Sequence, residues 1–352
     1  MSKRQSGFNR KGNWVMDSKQ IVLVTGASGF IAKHCIIKLL NEGYKVRGSV
    51  RSQDKAAIVS KSLAGHCDVS ELSFVELDLM SDAGWAEAMN GCVFVQHVAS
   101  PFPSAEPDNE DDLIIPAREG ALRAVRFAAK SGVKRVVLTS SMAAIAYGDQ
   151  DRDPGPFTEK DWTNTKSDIG AYIKSKTIAE RAAWDFMETD AAGDMQLSVI
   201  NPGGVLGPLV DNIWSSSGEI VRKLLRREMP ACPRIAFAMI DVRDVADAHF
   251  EAMIRPEAAG ERFLLATDPE WMVDVSKALK KNGYNTPTGN LPNFMVRLIA
   301  IFDKTIRLVS RDLGKKIPIS NEKLRKVLKI EPRDLEEMSV SMADSMVKYK
   351  AL

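Results

Sequence analysis

Cysteine is scarce in this chain, and the four present, Cys35, Cys67, Cys92 and Cys232, fall in no CxxC or other paired spacing. That excludes a disulfide-stapled scaffold, and the four read as buried free thiols in a reducing compartment. Histidine is equally sparse. His34, His66, His97 and His249 show no HxxxH pair or other ligand spacing, so no bound metal is expected, and His97 reads as a satisfied core residue in a buried strand. Long apolar runs are missing, with none near the roughly 20 residues that a membrane helix needs. Charge of one sign is missing too: Lys and Arg number 48 against 46 Asp and Glu, a formal net charge of +2. Such a balance supplies no field for a nucleic-acid backbone or an anionic membrane surface. The N-terminal stretch is basic without the apolar core of a secretory signal. Residues 1–16 therefore read as a disordered tail, with Met16 as an alternative start, and a cytoplasmic location is expected.

What is present is a folded chain of 352 residues, 45% apolar and 27% charged, long enough for two domains or one large domain with an appendage. Short apolar runs alternate with helical stretches. Residues 21–25 read as a strand buried on both faces, 29–41 as a helix with Gly43 beyond its end, and 45–50, 74–77 and 93–99 as further strands. A long amphipathic helix over 108–131, softly broken near Pro116, precedes a strand at 135–140, a helix at 169–188 and a strand at 197–201. The two long helices are expected on one side of the sheet. The pattern predicts an α/β fold with a doubly wound, mostly parallel Rossmann sheet over residues 17–202. After Pro202, turn signals such as Gly207-Pro208 break the regularity. Residues 203–352 read as a smaller, irregular C-terminal substrate lobe with some segments returning to the sheet, including a strand at 262–266. Asp244 is expected to cap a helix. Residues 291–309 form an apolar amphipathic helix suited to core packing, a lid or a subunit contact.

The first strand runs into Thr25-Gly26-Ala27-Ser28-Gly29-Phe30-Ile31-Ala32, directly before a helix. Gly26 permits a tight turn, Gly29 lets the backbone approach a pyrophosphate, and Ala32 allows close helix–strand packing. A diphosphate would then rest on the N–H groups opening the helix, where the dipole favours negative charge. The end of the second strand chooses the dinucleotide. A carboxylate there suits the ribose hydroxyls of NAD, but this strand finishes Ser49-Val50-Arg51-Ser52, with Lys55 close by. Arg51 offers a planar fork of donors to the extra phosphate of NADP. Asp78-Leu79 would flank the adenine, and Val98-Ala99-Ser100 closes the fourth strand at the ligand-binding edge.

Tyr172 and Lys176 stand one helical turn apart, about 6 Å along the axis, on one face. An ammonium beside the phenol, together with an oxidised nicotinamide, is expected to lower the tyrosine from its usual value near about 10. The fifth strand ends Leu138-Thr139-Ser140-Ser141. Ser141 can bond a carbonyl oxygen, while Ser140 points to the other side of the pleat. The rival, purely structural reading of a serine at a strand end is a turn cap.

Taken in order, these motifs, with Tyr172-Ile173-Lys174-Ser175-Lys176 and Pro202-Gly203-Gly204-Val205-Leu206-Gly207-Pro208, resemble the extended short-chain dehydrogenase/reductase superfamily. The likeness runs over residues 20 to 270 and is to the dihydroflavonol reductase and cinnamoyl-CoA reductase branch, with its bacterial aldehyde-reductase-like members. It implies NADPH-dependent reduction of an aldehyde or ketone, with Ser141, Tyr172 and Lys176 as the catalytic residues. Motif and resemblance together assign cofactor contacts to Gly26, Ser28, Gly29, Phe30, Ile31, Arg51, Lys55, Asp78, Leu79, Val98, Ala99, Ser100, Tyr172, Lys176, Pro202 and Val205. Similar enzymes often pair their long helices into a homodimer, and monomers also occur. Two departures stand out: Ala32 replaces the commoner glycine, and Met142-Ala143-Ala144 follows Ser141. A sugar-nucleotide epimerase that retains NAD shares the fold, but Arg51 argues against NAD. Dehydration needs carboxylates where Met142 and Ala143 stand. A non-enzymatic dinucleotide sensor would not need Ser141, Tyr172 and Lys176 intact.

Overall fold

A computed structural model describes residues 20–101, 107–148, 155–302 and 313–352. The tail expected over 1–16 and the end of the helix expected over 291–309 lie outside the described residues. Six strands alternate with helices through the first part of the chain: β1 (Ile21–Val24), α1 (Phe30–Asn41), β2 (Lys45–Val50), α2 (Gln53–Leu63), β3 (Leu72–Glu76), α3 (Trp85–Met89), β4 (Cys92–His97), α4 (Asp111–Lys130), β5 (Arg135–Thr139), α5 (Ala171–Met187) and β6 (Gln196–Pro202). Short strands β7 (Gly204–Leu206), β8 (Cys232–Pro233), β9 (Ala236–Phe237) and β10 (Met239–Asp241) follow, interrupted by α6 (Gly218–Leu225). Helix α7 (Val242–Ile254) then leads to β11 (Arg262–Leu265), which returns to the main sheet. Three more helices complete the described chain: α8 (Met272–Lys281), α9 (Asn293–Phe302) and α10 (Leu335–Lys348).

The main sheet has seven strands in the order β11-β6-β5-β4-β1-β2-β3, all parallel. Successive strand residues point to opposite faces, and the clusters follow that period. Val22 and Val24 of β1, Phe94 of β4, Val137 of β5 and Ile200 of β6 pack with α1, α2 and α7 on one side. Leu23, Val95, Val136, Leu138 and Val199 pack with α3, α4 and α5 on the other. The two long helices thus share a side as the sequence predicts, meeting through small residues such as Ala117, Ala121, Ala179 and Ala183. Sequence order reverses between the neighbours β1 and β4, and such a switch point opens a crevice at the strands' carboxyl ends.

Several expectations need correction. Helix α4 is a single element that carries Pro116 inside it rather than breaking there. Helices α2 and α3 fill connections that carry weak apolar periodicity. The cap of α7 is Asp241, not Asp244, because β10 runs straight into the helix and Asp241 Oδ1 accepts the Arg243 N–H at 2.8 Å. Asp244 lies within the first turn, paired with Arg333 and pushed up to about 6 by burial. Cys67 is only half-buried, whereas Cys35, Cys92 and Cys232 are buried. Among the described residues no helix is long and apolar enough to cross a membrane.

Candidate active site

A cleft of about 700 Å³ opens along the carboxyl ends of β1, β2, β4, β5 and β6. Ser141 and all sixteen residues expected to touch a dinucleotide line it, from Gly26 and Arg51 through Asp78 and Ser100 to Lys176, Pro202 and Val205. Met80, Pro116 and residues 213–217 also line it, and no motif in the sequence points to them.

The floor is set by backbone geometry. Gly26 has φ +69°, and a Cβ there would meet Ala99 Cα and Cβ at 3.0 Å, so this turn takes only glycine without strain. Gly29 N–H closes the turn on Gly26 O at 2.8 Å and opens α1 without any side-chain cap or acidic residue in the first turn. The helix's leading N–H groups therefore have no internal anion to compete with a ligand's phosphate. Thr25 pins the loop to β4: its hydroxyl accepts the N–H groups of Val98 and Ala99, both at 3.0 Å, and bonds His97 Nδ1 at 2.9 Å. Burial holds His97 down at about 3, so it stays neutral. Arg51 and Lys55 line the cleft and are exposed, with no ion pair to either among the described residues. The residues present fit NADP: a glycine cradle for the diphosphate, and two available cations where a 2′-phosphate would lie. Asp78 Oδ1 accepts the Met80 N–H at 2.8 Å, leaving the second carboxylate oxygen for an adenine amino group.

At the other end, Gly170 (φ +83°) turns the chain into α5 and sets Tyr172 in the helix's first turn. The Tyr172 and Ser141 hydroxyls share a hydrogen bond. Ser141 Oγ also accepts the Ala143 N–H at 3.1 Å, so it caps the short turn at Met142–Ala144 and faces the tyrosine at once. Lys176, 9% exposed, places Nζ 5.9 Å from the centre of the Tyr172 ring and donates to Ser100 Oγ at 2.9 Å. Burial lowers the amine to about 8, against the pull of Glu180. The expected lowering of the phenol joins the lysine to an oxidised nicotinamide; taken alone, the protein's own groups shift the phenol upward. Burial raises it, with the Ser141 bond working the other way. Desolvation is a tertiary effect invisible in the Tyr-xxx-Lys spacing, and it outweighs the Ser141 bond. Such a tyrosine stays protonated at neutral pH.

Residues 22–266 match the NAD dependent epimerase/dehydratase family. Over 348 residues the chain is 32% identical to the NADPH-dependent methylglyoxal reductase GRE2 of Saccharomyces cerevisiae, covering 94% of this chain and 98% of that protein. It is 34% identical over 251 residues to the cinnamoyl-CoA reductase CAD2 of Medicago truncatula, covering 70% and 76%. The crystal structure of yeast methylglyoxal/isovaleraldehyde reductase Gre2 complexed with NADPH superposes with a TM-score of 0.78 at 29% identity, over 95% of this chain and 100% of that one. The chain belongs to this family of extended short-chain dehydrogenases/reductases and, within it, to the branch that holds the dihydroflavonol and cinnamoyl-CoA reductases.

Proposed function

We propose that this chain is an NADPH-dependent reductase of small aldehydes or ketones, an oxidoreductase acting reversibly between carbonyl and alcohol. The observation that carries the reading is one cleft holding the glycine cradle and Arg51 at one end and the bonded Ser141–Tyr172 pair with Lys176 at the other. The relatives' names agree with it, since both the yeast enzyme and its structure are named as NADPH-dependent or NADPH-bound reductases. In this scheme Gly26, Ser28, Gly29, Phe30 and Ile31 hold the diphosphate, Arg51 and Lys55 the 2′-phosphate, and Asp78 and Leu79 the adenine. Val98, Ala99, Ser100, Pro202 and Val205 frame the remainder. NADPH, when bound, supplies the hydride. Ser141 donates a hydrogen bond to the carbonyl oxygen and steadies its developing charge. Tyr172, kept protonated by burial, gives its proton to that oxygen as the alcohol forms. Lys176 keeps Tyr172 in place and offers its ammonium to the nicotinamide ribose.

The wall beyond Tyr172 combines Pro202, Gly203, Val205, Ile213 and Trp214 with the hydroxyls of residues 215–217, a lining that suits an uncharged carbonyl compound. The division into a dinucleotide domain over 17–202 and a substrate lobe over 203–352 belongs to this proposal. So do a cytoplasmic location, the absence of nucleic-acid partners and a homodimer.

NADPH consumption with a panel of aryl aldehydes, α-keto esters and ketones tests the reading. Tyr172→Phe should keep NADPH binding and melting temperature while kcat falls about 10²- to 10⁴-fold. Turnover at the parent rate in that variant removes the proton donor from the scheme. Cofactor that survives desalting, with no carbonyl reduced, would favour the epimerase chemistry of the wider family.

A further inference from the structure

Directly behind the reacting groups lies a buried polar cluster that the scheme above does not use. Glu180, 1% exposed, stands one turn beyond Lys176 on α5. Its Oε2 accepts Ser140 Oγ at 2.5 Å from the end of β5 and Asn201 Nδ2 at 2.6 Å from β6. Its Oε1 accepts Arg262 Nε at 2.5 Å from β11 and Trp184 Nε1 at 3.3 Å from its own helix. Asn201 Nδ2 also donates to the backbone carbonyl of Ser141 at 3.1 Å. Both neighbours of that amide nitrogen are acceptors, so the orientation of Asn201 is forced. The Arg262 guanidinium is held in turn by the carbonyls of Glu159 and Asp161, both at 2.8 Å, and lies 3.7 Å from the centre of the Trp162 ring.

A single carboxylate therefore ties three strand ends to the helix that carries Tyr172 and Lys176. Two of its bonds converge on Ser141: one on the residue before it, and one through Asn201 on its own carbonyl. We propose that Glu180 is a positioning residue, fixing the Ser141 hydroxyl against Tyr172 from the side away from the cleft. A scaffold role alone would place an ion pair between α5 and β11. It would not require the same oxygen to grip Ser140 and Asn201.

The charged and titratable groups around this centre are few. Glu180 faces Arg262 and, on its own helix, Lys176; the buried Glu159 carboxylate lies within reach of the Arg262 charge while accepting the Leu264 N–H at 3.0 Å. Lys176 faces Ser100 and Tyr172, and its charge reaches His97. Glu180 is the group that raises Lys176 against its burial. Removing its charge should let the amine lose its proton at lower pH, so the high-pH fall in reduction rate should begin earlier.

The inference rests on the reductase reading, and the test separates the two. Glu180→Gln alone leaves Arg262 buried without a counter-charge, so the paired change Glu180→Gln with Arg262→Met is made beside it, and Ser140→Ala serves as the gentlest probe. In the folded variants we expect NADPH affinity, read by fluorescence, to hold, KM to change little, and kcat to drop by about 10²-fold, the scale of a small misplacement of reacting groups. Ser140→Ala should lose less. The high-pH limb should move downward in both Glu180→Gln variants, whereas Glu180→Asp, which keeps the charge, should restore the pH profile. Parent kcat and parent pH profile in the paired variant overturn the role of Glu180, and with Tyr172→Phe inactive they leave the reductase reading intact. Melting temperature and NADPH affinity falling together, with no movement of the pH limb, would reduce Glu180 to a scaffold. If every Gln variant fails to fold, parent kcat in Ser140→Ala overturns the proposal.

Discussion

The two ends of the cleft are built on different principles. At the dinucleotide end the main chain does the work: Gly26 at φ +69°, the Gly29–Gly26 turn and the uncapped start of α1 need almost no particular side chain. At the end proposed for the substrate, the segment 208–211 that leads into residues 213–217 is held by side chains from distant parts of the sequence. Lys33 of α1 pairs with Asp211, His34 Nε2 donates to Pro208 O at 2.8 Å, and Ser345 Oγ of α10 accepts the Leu209 N–H at 2.8 Å. Ser215 Oγ then donates to Val205 O at 2.6 Å. A surface made of backbone suits a ligand common to a whole family. One assembled from long-range side-chain contacts can change its selectivity without disturbing the first.

The strongest way to break the dinucleotide end is Gly26→Val. Positive φ costs a β-branched residue about 1–2 kcal/mol, and contact with Ala99 adds to it. We expect NADPH binding to vanish in fluorescence titration and the melting temperature to fall by several degrees. Retained binding would mean that the loop is not the diphosphate cradle. The next effect in size is at the adenosine side. Arg51→Asp should remove a charge-assisted contact of about 1.5–3 kcal/mol, turning the ratio of kcat/KM for NADPH over NADH toward NADH by roughly ten- to a hundredfold. An unchanged ratio defeats the phosphate assignment.

The same contrast explains what could be read in advance. The glycine loop, Arg51 and the Tyr172–Lys176 pair are local patterns, a strand running into a helix or one turn of a helix. Spacing alone carries them. Ser141 is legible as a strand-end hydroxyl and as a turn cap, whereas its simultaneous partnership with Tyr172 needs the fold. Glu180, Asn201 and Arg262 could not be found, because their meeting depends on which strands neighbour one another in the sheet. The cap of α7 depends on the fold for a related reason. The run Asp241-Val242-Arg243-Asp244 offers two capping carboxylates, and the pairing of β10 with β7 decides where the strand stops. The raised Tyr172 belongs here too, since burial is set by everything that packs around the helix.

A final substitution asks how independent the two ends are, for Lys33 sits on α1, the helix proposed to hold the diphosphate, yet pairs with Asp211 in the segment leading into residues 213–217. Its side chain is 2% exposed and its partner Asp211 16%. Methionine has similar length and suits a buried site, so Lys33→Met should leave no large void. Asp211 keeps its bond to the Ile213 N–H, 2.9 Å from Oδ1, and can turn its other oxygen to water. The expected cost is therefore near that of a partly exposed ion pair, about 1 kcal/mol, felt as a looser wall. KM for the carbonyl substrate should rise roughly fivefold while the NADPH dissociation constant stays put. A matching loss of NADPH affinity would show that α1 transmits strain back to the diphosphate loop and that the two ends act as one unit. An unmoved KM would place the substrate elsewhere in the cleft, away from residues 213–217.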